Sequence, residues 1–122
     1  MNKYVGKQAY RNSAVSAPRI EDAHGAITVC LDTLLHNLKI LAEGPDHTSE
    51  LYGKITSKCL TAIYILQTSL DFEKGGGISD NLFKLYEYVK YQVMATSKKE
   101  AANLDQAIEV VTEITTTWRA IS

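Results

Sequence analysis

Leu66-Gln67-Thr68-Ser69-Leu70-Asp71-Phe72-Glu73-Lys74-Gly75-Gly76-Gly77-Ile78-Ser79-Asp80-Asn81-Leu82-Phe83-Lys84-Leu85-Tyr86 decides the fold, because it joins two apolar stripes of helical period through three consecutive glycines. Three glycines in a row lose much backbone entropy if held helical, so Glu73 to Gly77 predicts a break. Upstream, Leu51, Ile55, Cys59, Ala62, Leu66 and Leu70 recur every three or four residues, predicting a helix over about His47 to Phe72. Tyr52, Leu60, Ile63 and Ile65 widen its apolar face. Downstream, Leu82, Leu85, Tyr86, Val89 and Val93 span an arc of about 100° and predict a helix over about Ser79 to Thr96.

The same period extends outward in both directions. Ile20, His24, Ile27, Leu31, Leu34, Leu38 and Leu41 form a stripe from about Pro18 to Glu43, interrupted in composition only by Gly25. Gly44-Pro45-Asp46 ends that helix: glycine accepts a left-handed cap, proline stops the ladder, and aspartate can cap the next start. Ser97-Lys98-Lys99-Glu100 has the form of a capping box for a last helix running to about Ile121. Its stripe is Ala101, Leu104, Ile108, Val111, Ile114, Trp118 and Ile121. Short connections between long helices favour antiparallel neighbours, so the reading is all-α: an antiparallel up-down four-helix bundle over residues 18–122. Residues 1–17 hold Tyr4, Val5, Tyr10 and Val15 among polar groups and read as an N-terminal arm or short helix.

Bulk composition narrows function. The 122 residues suit one domain, and 13 basic against 14 acidic side chains leave no field to concentrate nucleic acid. Cys30 and Cys59 lie far apart, which suits reduced thiols and a cytoplasmic location better than a disulfide framework. No secretion-type apolar leader and no run of about 20 apolar residues is evident, so membrane insertion is not expected.

No catalytic set emerges. Glu21-Asp22-Ala23-His24 has the Glu-x-x-His spacing of di-iron bundles, but His36 and His47 lack a glutamate three positions before them. The plainer reading is favourable charge at a helix start and a half-buried His24. Both cysteines sit among apolar residues, where a thiol serves as a small hydrophobe. Gly75-Gly76-Gly77 lacks the Lys-Ser/Thr of a phosphate-binding loop, and Lys98-Lys99 has no basic neighbours to extend it. No cofactor or metal is expected, and no enzymatic activity.

The third helix has apolar residues beyond its core face. Phe83 and Met94 share one flank; Tyr88 and Tyr91, three apart, share the other. They either cover neighbouring helices or form a flank that receives an apolar helix from another protein, burying the ring while the hydroxyl stays wet.

Ser69-Leu70-Asp71-Phe72-Glu73-Lys74-Gly75-Gly76 followed by Asn81-Leu82-Phe83-Lys84-Leu85-Tyr86-Glu87-Tyr88 resembles the signature of the FliS family of flagellar export chaperones. Ala9-Tyr10 with Val15, and the final helix with Trp118, are similar to the family's ends. One departure is visible: Pro18 leads into Arg19-Ile20-Glu21-Asp22-Ala23-His24-Gly25, where the family usually carries an apolar turn and a Leu-Tyr-Asp-Gly-like motif. The resemblance implies a cytoplasmic chaperone that binds the C-terminal segment of flagellin, prevents early polymerisation and hands it to the flagellar type III export apparatus. It also implies that the arm lies near the flagellin surface, where Tyr10 and Val15 would act as a displaceable self-ligand. Expected partner-binding residues are therefore Tyr10, Val15, Leu82, Leu85, Tyr86, Tyr88, Val89 and Tyr91, in a monomer or an arm-exchanged dimer. The alternative is a structural or regulatory bundle that self-associates.

Overall fold

The computed structural model describes residues 23–121, so the arm with Tyr10 and Val15, and the Glu21 of the Glu-x-x-His motif, lie outside the described residues. Among the described residues four helices follow one another: α1 Ala23–Ala42, α2 Glu50–Thr68, α3 Phe72–Ser97 and α4 Leu104–Ala120. The α1 helix packs on α2 and α4, and α3 packs on α2 and α4, so α1 lies diagonally across from α3. Bonds between helix ends fix the directions. Tyr52 at the start of α2 shares its hydroxyl with Thr96 Oγ1, 2.8 Å away at the end of α3. Trp118 near the end of α4 donates its indole N–H to the His24 carbonyl at the start of α1, at 3.1 Å. The expected up-down-up-down bundle is the observed one.

The core is the meeting of the stripes. Ile27, Leu31, Leu34, Leu38 and Leu41 of α1 are buried against Tyr52, Ile55, Cys59, Ala62, Ile63 and Leu66 of α2, Tyr86, Val89 and Val93 of α3, and Ala107, Val111 and Trp118 of α4. Each large aliphatic side chain removed from water contributes about 1.5–3 kcal/mol, which outweighs the modest helix propensity of its valines and isoleucines. By length and composition alone α1, with a mean hydropathy of 1.2, could cross a membrane. Its Ile27, Leu31, Leu34, Leu38 and Leu41 are instead part of the bundle's core, the pattern of a core helix.

Several boundaries differ from expectation, each through a cap. After Gly44, in the left-handed region at φ 76°, the next helix waits until Glu50. Ser49 caps it by accepting from the Tyr52 amide. Asp46 instead folds the loop, accepting from the Thr48 amide and hydroxyl at 2.9 Å, and these bonds hold its carboxyl below the ordinary value. The α2 helix stops at Thr68, four residues early, with Ser69 as its C-cap: the Ser69 amide donates to the Ile65 carbonyl at 3.0 Å, and its hydroxyl donates to the same carbonyl at 2.6 Å. Ser97 is not an N-cap. It ends α3 ahead of a Schellman turn in which the Glu100 amide donates to Ala95 O and the Lys99 amide to Thr96 O, with Lys99 at φ 59°. Asn103 caps α4, accepting from the Gln106 amide at 3.0 Å, and this leaves Ala101 exposed outside the helix.

The glycine break is placed more narrowly than the sequence suggested. Phe72 to Gly75 make one helical turn, Gly76 alone is non-helical at φ 51° and ψ −127°, and the long part of α3 begins after it. Asp71 holds the corner. Its carboxylate accepts from the Glu73 amide, and its carbonyl accepts from the Gly75 amide at 2.8 Å and the Ser79 hydroxyl at 2.9 Å.

Candidate functional site

The residues expected at the site separate according to how α3 sits between its neighbours. Tyr86, Val89 and Val93 are completely buried and form the core face, so Tyr86 and Val89 support the surface from behind and present none of it. Leu82 is half-buried against the core. Leu85, expected on the core face, is 38 % exposed. Helical spacing puts it on the same side of α3 as Tyr88 and Gln92, both of which bond residues 103–106 at the start of α4.

The two tyrosines of the expected flank have different surroundings. Tyr88 is half-buried and donates its hydroxyl to Gln106 Oε1 at 2.5 Å, which ties it to α4. Tyr91, one turn on, is 62 % exposed. Of the expected α3 residues, Leu82 and Tyr88 are thus partly buried, and Leu85 and Tyr91 are exposed. The other flank turns toward α2, where Gln67 Nε2 donates to Glu87 Oε2 at 2.8 Å and to the Phe83 carbonyl at 3.4 Å. The Lys90 ammonium, and then the Gln67 amide, hold the Glu87 carboxyl below its ordinary value. Phe72 meets Phe83 edge-on, ring centres 6.1 Å apart, so the aromatic flank toward α2 is partly closed by the turn before Gly76.

A second apolar feature was not anticipated. Between α1 and α2 lies a groove of about 300 Å³ lined mainly by Val29, Cys30, Thr33, Thr61, Ala62 and Ile65, with Lys58 on its α2 wall. Val29 is 63 % exposed, and Ile65, expected to widen the core face, is 36 % exposed on this side. Leu51, expected on the core stripe, is also exposed. The signal for Val29 was present in the sequence: the Ile27, Leu31, Leu34 stripe points Val29 away from the core.

The remaining candidates are absorbed by structure. His24 stacks on Trp118 with ring centres 4.3 Å apart and bonds the Trp118 carbonyl through Nε2 at 2.8 Å, which agrees with a half-buried structural role. Burial pushes the Cys30 thiol up and the completely buried Cys59 thiol to about 12, so neither is a ready thiolate. Among the described residues no group of three or more His, Cys, Asp or Glu is arranged to hold a metal.

The fold is a four-helix bundle that leaves apolar side chains exposed on α1, α2 and α3, among them Val29, Tyr64, Leu85 and Tyr91. The chain belongs to the FliS family: the family model described as Flagellar protein FliS matches residues 5–122, well beyond the signature around Ser69 to Tyr88. It is 36 % identical over 70 residues to a flagellar secretion chaperone FliS of Vibrio cholerae serotype O1, covering 57 % of this chain and 52 % of that protein. It is 32 % identical over 71 residues to a flagellar secretion chaperone FliSB of Pseudomonas aeruginosa, covering 57 % of this chain and 56 % of that one. The chain thus spans about half the length of the curated relatives it matches. No solved structure matches it.

Proposed function

We propose that this chain is a cytoplasmic export chaperone that binds the C-terminal segment of flagellin, keeps it from polymerising early and delivers it to the flagellar type III export apparatus. The observation that carries the reading is membership of the FliS family across residues 5–122, together with relatives named as flagellar secretion chaperones. The physical requirement is an apolar surface open in the free protein, and the exposure of Leu85 and Tyr91 on α3 supports a site there. A flagellin helix laid along this side exchanges self-assembly for burial against leucine and tyrosine, with the ordering of the segment opposing part of the gain. We further propose that Tyr10 and Val15 act as a self-ligand displaced by cargo, the role that the family resemblance implies for them. No turnover or cofactor enters the scheme, and chaperone action here is stoichiometric binding.

The test is calorimetric titration of the full chain with a C-terminal flagellin peptide. Tyr91→Ala removes a ring that touches little of the bundle, so helical content and unfolding stay near wild type while affinity falls by roughly 5- to 30-fold, the loss expected of an interface tyrosine. Unchanged affinity removes Tyr91 from the site. Failure of the unaltered chain to bind flagellin peptide at all removes the chaperone reading, and concentration-dependent self-association in light scattering then favours a self-associating bundle.

A further inference from the structure

We infer that Gln106, in the first turn of α4, is a positioning residue for cargo: it holds the Tyr88 ring against α4 and so keeps that ring from covering Leu85 and Tyr91. The inference rests on the reading of exposed α3 as the place where flagellin binds, and it adds a residue of another helix that sets how open that place is.

Tyr88 stands midway between the two exposed side chains. Leu85 and Tyr91 are each three residues from it along α3, and three residues in a helix are about 4.5 Å of rise and about 60° of turn, within reach of a phenol ring. A ring free to rotate beside two exposed apolar side chains gains by folding over one of them, because that removes apolar area from water. The Tyr88 ring does otherwise. It packs against the core, half-buried, with its hydroxyl donated to Gln106 Oε1 at 2.5 Å.

An exchange of partners at the α4 cap makes Gln106 available for this. Asn103 is the N-cap and Gln106 follows three residues later, the spacing of a capping box, in which the glutamine side chain reaches back to the N-cap amide. Here the Asn103 amide donates instead to Gln92 Oε1 of α3 at 2.7 Å, and Gln92 is buried. The other half of the box is made, with the Gln106 amide donating to Asn103 Oδ1 at 3.0 Å. Released from the cap, Gln106 Oε1 receives the Tyr88 hydroxyl and, at 3.5 Å, Asn103 Nδ2. Two donors converging on one oxygen fix which way the amide faces. Gln92 lies one turn beyond Tyr88 on α3, so the four side chains close a ring across the joint of the two helices. The ring holds no charged group, and salt does not screen it.

The consequence is preorganisation. A tyrosine that the arriving helix must first push aside and order costs about 3- to 10-fold in affinity. The test pairs calorimetric titration of the full chain with a C-terminal flagellin peptide and nitration of the peptide-free chain by tetranitromethane, with the modified tyrosines assigned by mass spectrometry. In the free chain Gln106→Ala should raise nitration of Tyr88 about threefold or more relative to Tyr64, which is exposed on α2, because the hydroxyl loses its acceptor. Gln106→Ala and Tyr88→Phe should each lower affinity by about 3- to 10-fold, and together no further, since both remove the same bond. Gln106→Glu keeps an acceptor for the hydroxyl and should bind as the unaltered chain does. Gln92→Met, a buried change that returns the Asn103 amide to Gln106, should reproduce the loss. The thermal midpoint of Gln106→Ala should stay near wild type, as for other exposed positions. Unchanged nitration of Tyr88, wild-type affinity in Gln106→Ala, additive losses in the double variant, or equal losses in Gln106→Ala and Gln106→Glu each overturn the inference and leave the cargo reading standing. An unaltered chain that binds no flagellin peptide removes the cargo reading, and the positioning role falls with it.

Discussion

Two adjacent glycines should respond oppositely to the same substitution. Gly76 sits at φ 51° and ψ −127°, a region that L side chains rarely adopt, and Gly77 opens the long part of α3 with no positive φ. A Cβ built on either meets no atom within 4 Å, so packing contributes nothing and the backbone decides. Gly76→Ala must either hold alanine in a strained conformation, at about 1–3 kcal/mol, or abandon the corner and the Asp71 bonds to Gly75 and Ser79. Gly77→Ala reduces the entropy of the unfolded chain in a helical position and stabilises by about 0.5–1 kcal/mol. For a chain of this length 1 kcal/mol moves the thermal midpoint by roughly 3–5 °C. Urea unfolding followed by far-UV circular dichroism should place Gly76→Ala below wild type and Gly77→Ala above it, with unchanged m-values. If both shift in one direction, or Gly76→Ala unfolds at the wild-type midpoint, the corner at Gly76 is not the strained point of this fold.

Lys99 occupies the left-handed position of the Schellman turn that glycine usually fills, so Lys99→Gly should stabilise by about 0.5–1 kcal/mol in the same assay, and Lys99→Val should destabilise. The Cys59 thiol, ordinarily near 9.0, is pushed to about 12 by burial, so the folded state keeps a proton that the unfolded chain releases above pH 9. Stability is therefore full below about pH 9 and falls by up to about 1.4 kcal/mol per pH unit as pH rises toward 12. Cys59→Ala should flatten that slope relative to wild type in guanidinium titrations at pH 8 and pH 10.5, and an equal slope in both proteins would refute the assignment.

The bundle was legible because period and punctuation agree: four stripes at 3.6-residue spacing, separated by Gly44-Pro45, the glycine run and a short polar link, admit few other folds. The helix ends were less legible. Ser97-Lys98-Lys99-Glu100 has the letters of a capping box, yet the stripe of α3 runs to its edge, and Asn103 offers a competing cap with an amide already bound by Gln92 Oε1 at 2.7 Å. Two caps of similar local strength were in competition, and tertiary packing chose between them. The same holds at Asp46 and Ser49, where aspartate closes the loop and serine caps the helix.

Surface assignment was legible only where one helix decides it. Periodicity gives the direction of a side chain from its own axis, and so it placed Tyr86, Val89 and Val93 in the core correctly. Whether Leu85, Leu51 or Ile65 is covered depends on how near the neighbouring helix comes, which a stripe does not encode. Tyr88 shows the consequence most clearly: from its own helix it pairs with Tyr91, but Gln106 of α4 draws its hydroxyl aside and leaves Tyr91 alone at the rim. A flank read as two equivalent tyrosines is thus one anchored and one open. In the proposed complex an arriving helix would gain new burial chiefly from Tyr91 and Leu85, while Tyr88 already gives part of its surface to α4. If cargo binds on this side as proposed, its energetics should concentrate in Leu85 and Tyr91.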